Sequence, residues 1–151
     1  MTRTRVDFSA AVENEMELIL PALSVNEGMA RAAVAAFCAQ FNPTAVELAD
    51  LKCAVSEAVT NCIVHAYREE TGEIRLSVKL CEGRLVQVEI RDRGCGIPDV
   101  KQAREPLFTT DAEGERSGMG FTVMESFCDS VKVHSKVGKG TNVTLLKRLH
   151  R

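Results

Sequence analysis

The spacing of apolar positions changes near residue 73, and that change splits the chain into a helical part and a strand-rich part. Residues 1–13 carry no sustained period and read as a flexible N-terminal extension to a domain spanning residues 14–151. Met16-Glu17-Leu18-Ile19-Leu20 is a short strand candidate, stopped by Pro21. Ser24-Val25-Asn26-Glu27 is a capping-box pattern, because the Ser hydroxyl and the Glu carboxylate can each serve an amide of the first turn. It predicts a helix to about Phe41, carrying Met29, Ala33, Ala36, Phe37 and Cys38. Asn42-Pro43 breaks it, and Thr44-Ala45-Val46-Glu47 repeats the capping signature. A long helix follows to about Tyr67, with Leu48, Leu51, Val55, Val59, Cys62 and Ala66 on one broad apolar face.

From Glu73 the period is two. Ile74, Leu76, Val78 and Leu80 alternate with polar residues, as do Val86, Val88 and Ile90 after the Glu82-Gly83 turn, which predicts a hairpin. Residues 99–117 are polar and non-periodic, a long loop of the functional or disordered kind. Residues 118–127 read as a helix. Val131-Lys132-Val133-His134 and Asn142-Val143-Thr144-Leu145-Leu146 form a second hairpin around Gly138-Lys139-Gly140. Helices first and strands afterwards imply an α+β two-layer sandwich, its mixed, mostly antiparallel sheet covered by helices on one face.

Composition narrows the class. A chain of 151 residues with 45% hydrophobic and 26% charged residues is one globular domain in size and mixture. Nineteen basic against twenty-one acidic residues give a net charge of −2 with no basic block, which argues against general nucleic-acid binding. No apolar run approaches the ~20 residues of a membrane span, and no apolar core follows the basic Met1-Thr2-Arg3-Thr4-Arg5. The expectation is a soluble, cytoplasmic protein. The six cysteines lack a C-x-x-C pair or a nearby His at zinc spacing, and read as reduced thiols, several of them core residues. Cys95 stands apart because it lies in a glycine-rich loop.

Three segments carry candidate chemistry. Glu57 and Asn61 are i and i+4 on the long helix and share a face turned from its apolar stripe. An isolated pair of this kind is ordinarily a solvated polar face, but Asn offers a neutral oxygen to Mg²⁺ and Glu can accept a proton. Asp92-Arg93-Gly94-Cys95-Gly96-Ile97-Pro98-Asp99 follows a strand, so its glycines can let a ligand approach the backbone and the Asp92 carboxylate can accept from an amino group such as that of adenine. The alternative is a plain strand-ending turn. Glu115-Arg116-Ser117-Gly118-Met119-Gly120-Phe121 places Gly-x-Gly at a helix start, where free N–H groups suit phosphate oxygens and Arg116 adds a fixed positive charge. It is neither a Rossmann fingerprint nor a Walker A loop.

In this order, and with Gly138-Lys139-Gly140-Thr141 following, the set resembles the Bergerat, or GHKL, ATP-binding fold. The match narrows further at Asn14-Glu15-Met16, Ala30-Arg31, Val34-Ala35-Ala36-Phe37, residues 56–61, Gly96-Ile97-Pro98-Asp99, Pro106-Leu107-Phe108-Thr109-Thr110 and residues 115–121, which resemble the anti-sigma F factor family of spore-forming bacteria. The resemblance implies a homodimeric serine kinase that uses Mg²⁺ and ATP, releasing ADP. It implies that sigma factor F is held away from RNA polymerase and that the anti-anti-sigma factor SpoIIAA is the phosphorylated substrate. Asn61 would bind Mg²⁺ and nucleotide, and Asp92 would read adenine, with Gly94, Gly96, Ile97 and Thr141 around the base. Residues 99–117 would be a lid containing Thr109 and Thr110, and Ser117, Gly118, Met119, Gly120 and Phe121 would cradle the triphosphate. Glu57 would be the general base, Arg116 would neutralise the γ-phosphate, and Arg31 would face a partner. Alternatives are a general-stress anti-sigma kinase, which shares every one of these sites, and a non-catalytic ATP-gated binding module.

Overall fold

The capping box at Thr44 forms as its residues dictate. The Thr44 hydroxyl accepts from the Glu47 amide at 3.1 Å, and the Glu47 carboxylate accepts from the Thr44 amide at 2.9 Å. A computed structural model describes residues 10–66, 72–105 and 120–150 of the chain. Its order is β1 (Val12–Pro21), α1 (Asn26–Cys38), α2 (Ala45–Asn61), β2 (Glu73–Cys81), β3 (Leu85–Arg91), α3 (Val100–Ala103), α4 (Gly120–Phe127), β4 (Ser130–Lys136) and β5 (Gly140–Arg148). The five strands form a single sheet in the order β1-β2-β3-β5-β4, and every pairing is antiparallel. The parallel component expected of a mixed sheet is absent among the described residues.

Alternation sorts the sheet into two faces. Ile74, Leu76, Val78 and Leu80 of β2, Val86, Val88 and Ile90 of β3, and Val143 and Leu145 of β5 are buried against the helices. Helix α2 contributes Leu51, Ala54, Val55, Ala58 and Val59 to that core, and it packs between α1 and α4. The opposite face carries Arg75, Glu89 and Arg91 in surface ion pairs. Such pairs contribute little to stability. Among the described residues no helix is long and apolar enough to cross a membrane.

Several elements depart from the sequence reading. Strand β1 begins at Val12 rather than Met16 and keeps Pro21 as its last pair, which an edge strand tolerates because Pro's missing donor is not needed there. The Ser24 capping box does not form: α1 has Val25 at its N-cap without a side-chain cap. Its Glu27 carboxylate instead accepts from the Ser56 hydroxyl of α2 and pairs with Arg31 at 3.5 Å. Helix α1 stops at Cys38, tightens into a 3₁₀ turn over Ala39–Phe41, and ends at Asn42 in the left-handed region. The expected loop after Asp99 opens with the short α3, because the Asp99 carboxylate caps the Gln102 amide at 3.0 Å. Helix α2 ends in a π-helical turn, Cys62–Ala66.

Candidate nucleotide-binding site

The inward row of each of three neighbouring strands turns polar at the same end of the sheet. In β3 the row Val86, Val88, Ile90 continues to Asp92, and in β5 Leu145 and Val143 lead to Thr141. In β4 Val131 and Val133 lead to Ser135, which stands opposite Thr141 in the hairpin register. Asp92, 6% exposed, closes over this end. Its Oδ1 accepts from the Gly94 amide at 2.9 Å and the Thr141 amide at 3.1 Å, while its own amide donates to the Thr141 carbonyl at 2.9 Å. A buried carboxylate needs such partners to offset its lost hydration. The Cys62 thiol donates to Oδ2 at 3.5 Å, and burial first, then the Asp92 charge, pushes that thiol well above its ordinary range. Cys62 therefore stays protonated and remains a donor.

Ser135 was not among the residues singled out from sequence. Its Oγ accepts from the Ile97 amide at 2.7 Å and lies 2.8 Å from Thr141 Oγ1 and 3.2 Å from the Gly140 carbonyl. The period-two row Val131, Val133, Ser135 was a signal that could have found it, since a serine in an inward row must use its hydroxyl.

The glycine loop fits against its surroundings at backbone distance. A Cβ on Gly94 would lie 2.3 Å from the Ala66 carbonyl oxygen, and one on Gly96, at φ +76°, would lie 2.3 Å from the Lys136 carbonyl oxygen. The π turn supplies the first of these contacts, and its Ala66 carbonyl also accepts from the Cys95 amide at 3.0 Å. Wide turns of this type recur at functional sites because they redirect backbone carbonyls. Here the redirected group ties the end of α2 to the loop beside Asp92.

Glu57 and Asn61 project from the last turns of α2 toward the start of α4. A Cβ on Gly120 would stand 3.3 Å from both polar atoms of the Asn61 amide and 3.4 Å from Glu57 Oε2. The missing side chain lets the carboxylate, the amide and the first residue of α4 converge more closely than a larger residue would comfortably allow. Phe121, buried, anchors that helix in the core. Among the described residues no group of three or more His, Cys, Asp or Glu forms a metal cage. An Asn oxygen beside a carboxylate fits Mg²⁺ nonetheless, because this ion keeps several waters and shares phosphate oxygens rather than demanding an all-protein shell.

Of the sequence-derived candidates, the structure thus groups Asp92, Gly94, Gly96, Ile97 and Thr141 at the polar sheet end, and Glu57, Asn61 and Gly120 at the helix junction. Phe121 lies beneath the latter as a core residue. Arg31 is elsewhere, on α1, half-exposed and paired with Glu27. Thr109, Thr110, Arg116, Ser117, Gly118 and Met119 lie outside the described residues. Residues 100–105 of the expected lid dock on the body, where Arg104 bonds the Glu125 carboxylate and the Val131 carbonyl.

This architecture defines a class of nucleotide-binding domain. The family model described as Histidine kinase-like ATPase domain matches residues 20–147. Among curated relatives, the anti-sigma F factor of Anoxybacillus flavithermus is 54% identical over 139 residues, covering 91% of this chain and 94% of that protein. The anti-sigma F factor of Bacillus subtilis is 51% identical over 141 residues, covering 93% and 96% respectively. The chain belongs to the anti-sigma F factor family, within the histidine kinase-like ATPase class. Solved structures extend the fold likeness to distant proteins. The structure of the RsbU and RsbW domains of Rv1364c from Mycobacterium tuberculosis matches with a TM-score of 0.68 at 21% identity, over 91% of this chain and 33% of that one. The histidine kinase domain of the Erythrobacter litoralis blue-light activated kinase EL346 matches with a TM-score of 0.55 at 20% identity, over 82% and 61%.

Proposed function

We propose that this chain is a cytoplasmic sigma-factor antagonist and protein-serine kinase, working as a homodimer, that binds the sporulation sigma factor F and phosphorylates a serine of the anti-anti-sigma factor SpoIIAA with Mg²⁺ and ATP. The observation that carries the reading is the convergence of Glu57 and Asn61 on Gly120, with the buried Asp92 acceptor bonded to Cys62, the residue after Asn61. High identity to anti-sigma F factors over nearly their whole length supports the partner assignment.

A serine hydroxyl is almost wholly protonated at neutral pH, so transfer to it benefits from a positioned base. Glu57 takes that role, accepting the hydroxyl proton as the serine oxygen bonds the γ-phosphorus of ATP and the bond to the β,γ-bridging oxygen breaks, releasing ADP. Asp92 and Thr141 hold the base of the nucleotide and so fix where its phosphates reach. Asn61 would hold Mg²⁺, and the metal would supply charge neutralisation for phosphoryl transfer. Arg31 presents a guanidinium for an acidic partner surface.

Incubation of the purified chain with labelled ATP and an anti-anti-sigma protein tests the reading. Label on a serine is expected, together with Mg²⁺-ATP-dependent recovery of a sigma factor in pull-downs. Glu57→Ala should abolish transfer while nucleotide binding persists, and Asn61→Ala should lose Mg²⁺-dependent affinity. Nucleotide-gated sigma capture without any phosphoserine would leave only the binding module.

A further inference from the structure

Ser135 is the least expected member of the polar sheet end. Rows Val131–Leu145 and Val133–Val143 pair apolar residues across β4 and β5, and the next inward pair is Ser135 with Thr141. A hydroxyl carries one proton and two lone pairs. Ser135 Oγ spends one lone pair on the Ile97 amide at 2.7 Å, so its proton goes to Thr141 Oγ1 at 2.8 Å or to the Gly140 carbonyl at 3.2 Å. The two directions differ in consequence: with the proton on the Gly140 carbonyl, Thr141 donates to Ser135, whereas donation to Thr141 frees the Thr141 proton. When Ser135 donates there, the Thr141 proton is turned away from Ser135 and is available to a ligand.

The chemistry beside it is the complement. Asp92 Oδ1 is committed to two backbone amides, whereas Oδ2 holds only the thiol of Cys62, a weak donor. The site therefore offers an acceptor, Asp92 Oδ2, near a hydroxyl whose proton direction Ser135 sets. A 6-aminopurine presents the matching edge, an amino donor at C6 next to an acceptor at N1. A 6-oxopurine presents the reverse order.

We propose that Ser135 is a positioning residue for base recognition: by fixing the Thr141 hydroxyl as a donor and holding the Ile97 backbone, it makes the pocket select 6-aminopurine over 6-oxopurine nucleotides. The inference rests on the nucleotide-binding reading above and adds to it the residue that sets base selectivity.

Calorimetric titration of the full chain with ATP and with ITP, its 6-oxo counterpart, tests it. Ser135→Ala is expected to weaken ATP binding by about three- to tenfold, the range of one hydrogen bond, while ITP changes by less than about twofold. Ser135→Thr, which keeps the hydroxyl on a strand that favours β-branching, restores the ratio. In a double-mutant cycle Thr141→Val narrows the ATP-to-ITP ratio alike, and adding Ser135→Ala narrows it no further. That cycle reads coupling even where single variants lose stability. Equal weakening toward both nucleotides, additive effects in the cycle, or unchanged ATP affinity would overturn the role of Ser135 and leave nucleotide binding standing. A wild-type chain that binds neither ATP nor ITP would overturn the nucleotide reading, and this inference with it.

Discussion

Asp92→Asn separates recognition from folding more sharply than any other substitution in the site. The amide oxygen must take the Oδ1 place, because the flipped orientation would aim an NH₂ group at the Gly94 and Thr141 amides, now 2.9 and 3.1 Å from that oxygen. With this orientation both backbone bonds survive as neutral ones. They weaken by about 1 kcal/mol each, and relief from burying a charge offsets part of that loss. The net cost to stability is about 0–2 kcal/mol, a drop of at most about 8 °C in melting temperature for a domain of this size. The new NH₂ replaces Oδ2, where Cys62 now donates and where a purine amino group would donate. Two donors face each other, and the loss of a charge-assisted bond with one group left unpaired costs about 2–4 kcal/mol. ATP affinity should fall about 30- to 1,000-fold, while ITP, whose 6-oxygen can accept from the new amide, should bind better than ATP. Titration calorimetry with both nucleotides, alongside thermal melting, checks the pair. Retention of ATP affinity within threefold would refute the argument, as would loss of ATP binding accompanied by collapse of the fold.

Other expectations follow from neighbouring contacts. Gly94→Ala pushes a Cβ against the Ala66 carbonyl and must break the Cys95–Ala66 bond, so it should cost about 1–3 kcal/mol and lower nucleotide affinity together, seen by melting and titration. Alkylation followed by mass spectrometry should modify Cys53 and Cys95 first, since these are exposed, and leave Cys38 unmodified, where burial pushes the thiol up to about 12. Saturating nucleotide should protect Cys95, in the glycine loop, and not Cys53. For Glu47, burial alone would raise the carboxyl, but the amides of Thr44 and His150 and the Thr44 hydroxyl hold it below the usual carboxylate range. A folded pKa below the unfolded one stabilises above the ordinary carboxylate range, and this contribution is lost as pH falls through the folded pKa. Glu47→Gln should therefore cost about 1–2 kcal/mol at neutral pH in urea melts. The gap between the two proteins should close in acid.

Legibility in the sequence followed the strength of local signals. The period-two runs from Ile74 and Val86 placed β2 and β3 within a residue or two, because one buried face leaves only one register. Two capping boxes looked alike in sequence, yet only Thr44 forms one. The Glu27 carboxylate has a tertiary alternative in Ser56, 29 residues away along the chain and invisible to a four-residue pattern. The π turn after Asn61 is equally non-local, since its Ala66 carbonyl is used by the Gly94–Cys95 loop. Asp92, Gly94 and Asn61 drew notice in the sequence because their chemistry is unusual for a strand end or a helix face, and the structure places them at the polar sheet end and the helix junction. The row Val131, Val133, Ser135 marks Ser135 as inward-facing, but its partner Thr141 is set only by the hairpin register.

These non-local ties give α2 a position between the two functions proposed for the chain. At one point Ser56, next to Glu57, bonds Glu27, and the same carboxylate holds Arg31. At its end Ala66 bonds the loop that carries Asp92. The Arg31–Glu27 pair is an i,i+4 contact at 3.5 Å between side chains 43% and 23% exposed. Pairs of that kind contribute only about 0.3–0.5 kcal/mol. A partner carboxylate can therefore take over the guanidinium at little cost, and Glu27 keeps its bond to Ser56 when it does. Removing Glu27 is a different perturbation, because it releases α2 from α1 beside the proposed base. Arg31→Ala should thus weaken partner capture with the transfer rate on bound substrate unchanged, whereas Glu27→Ala should disturb both. Identical transfer rates for wild type and Glu27→Ala would show that the Ser56 bond does not hold Glu57 in place.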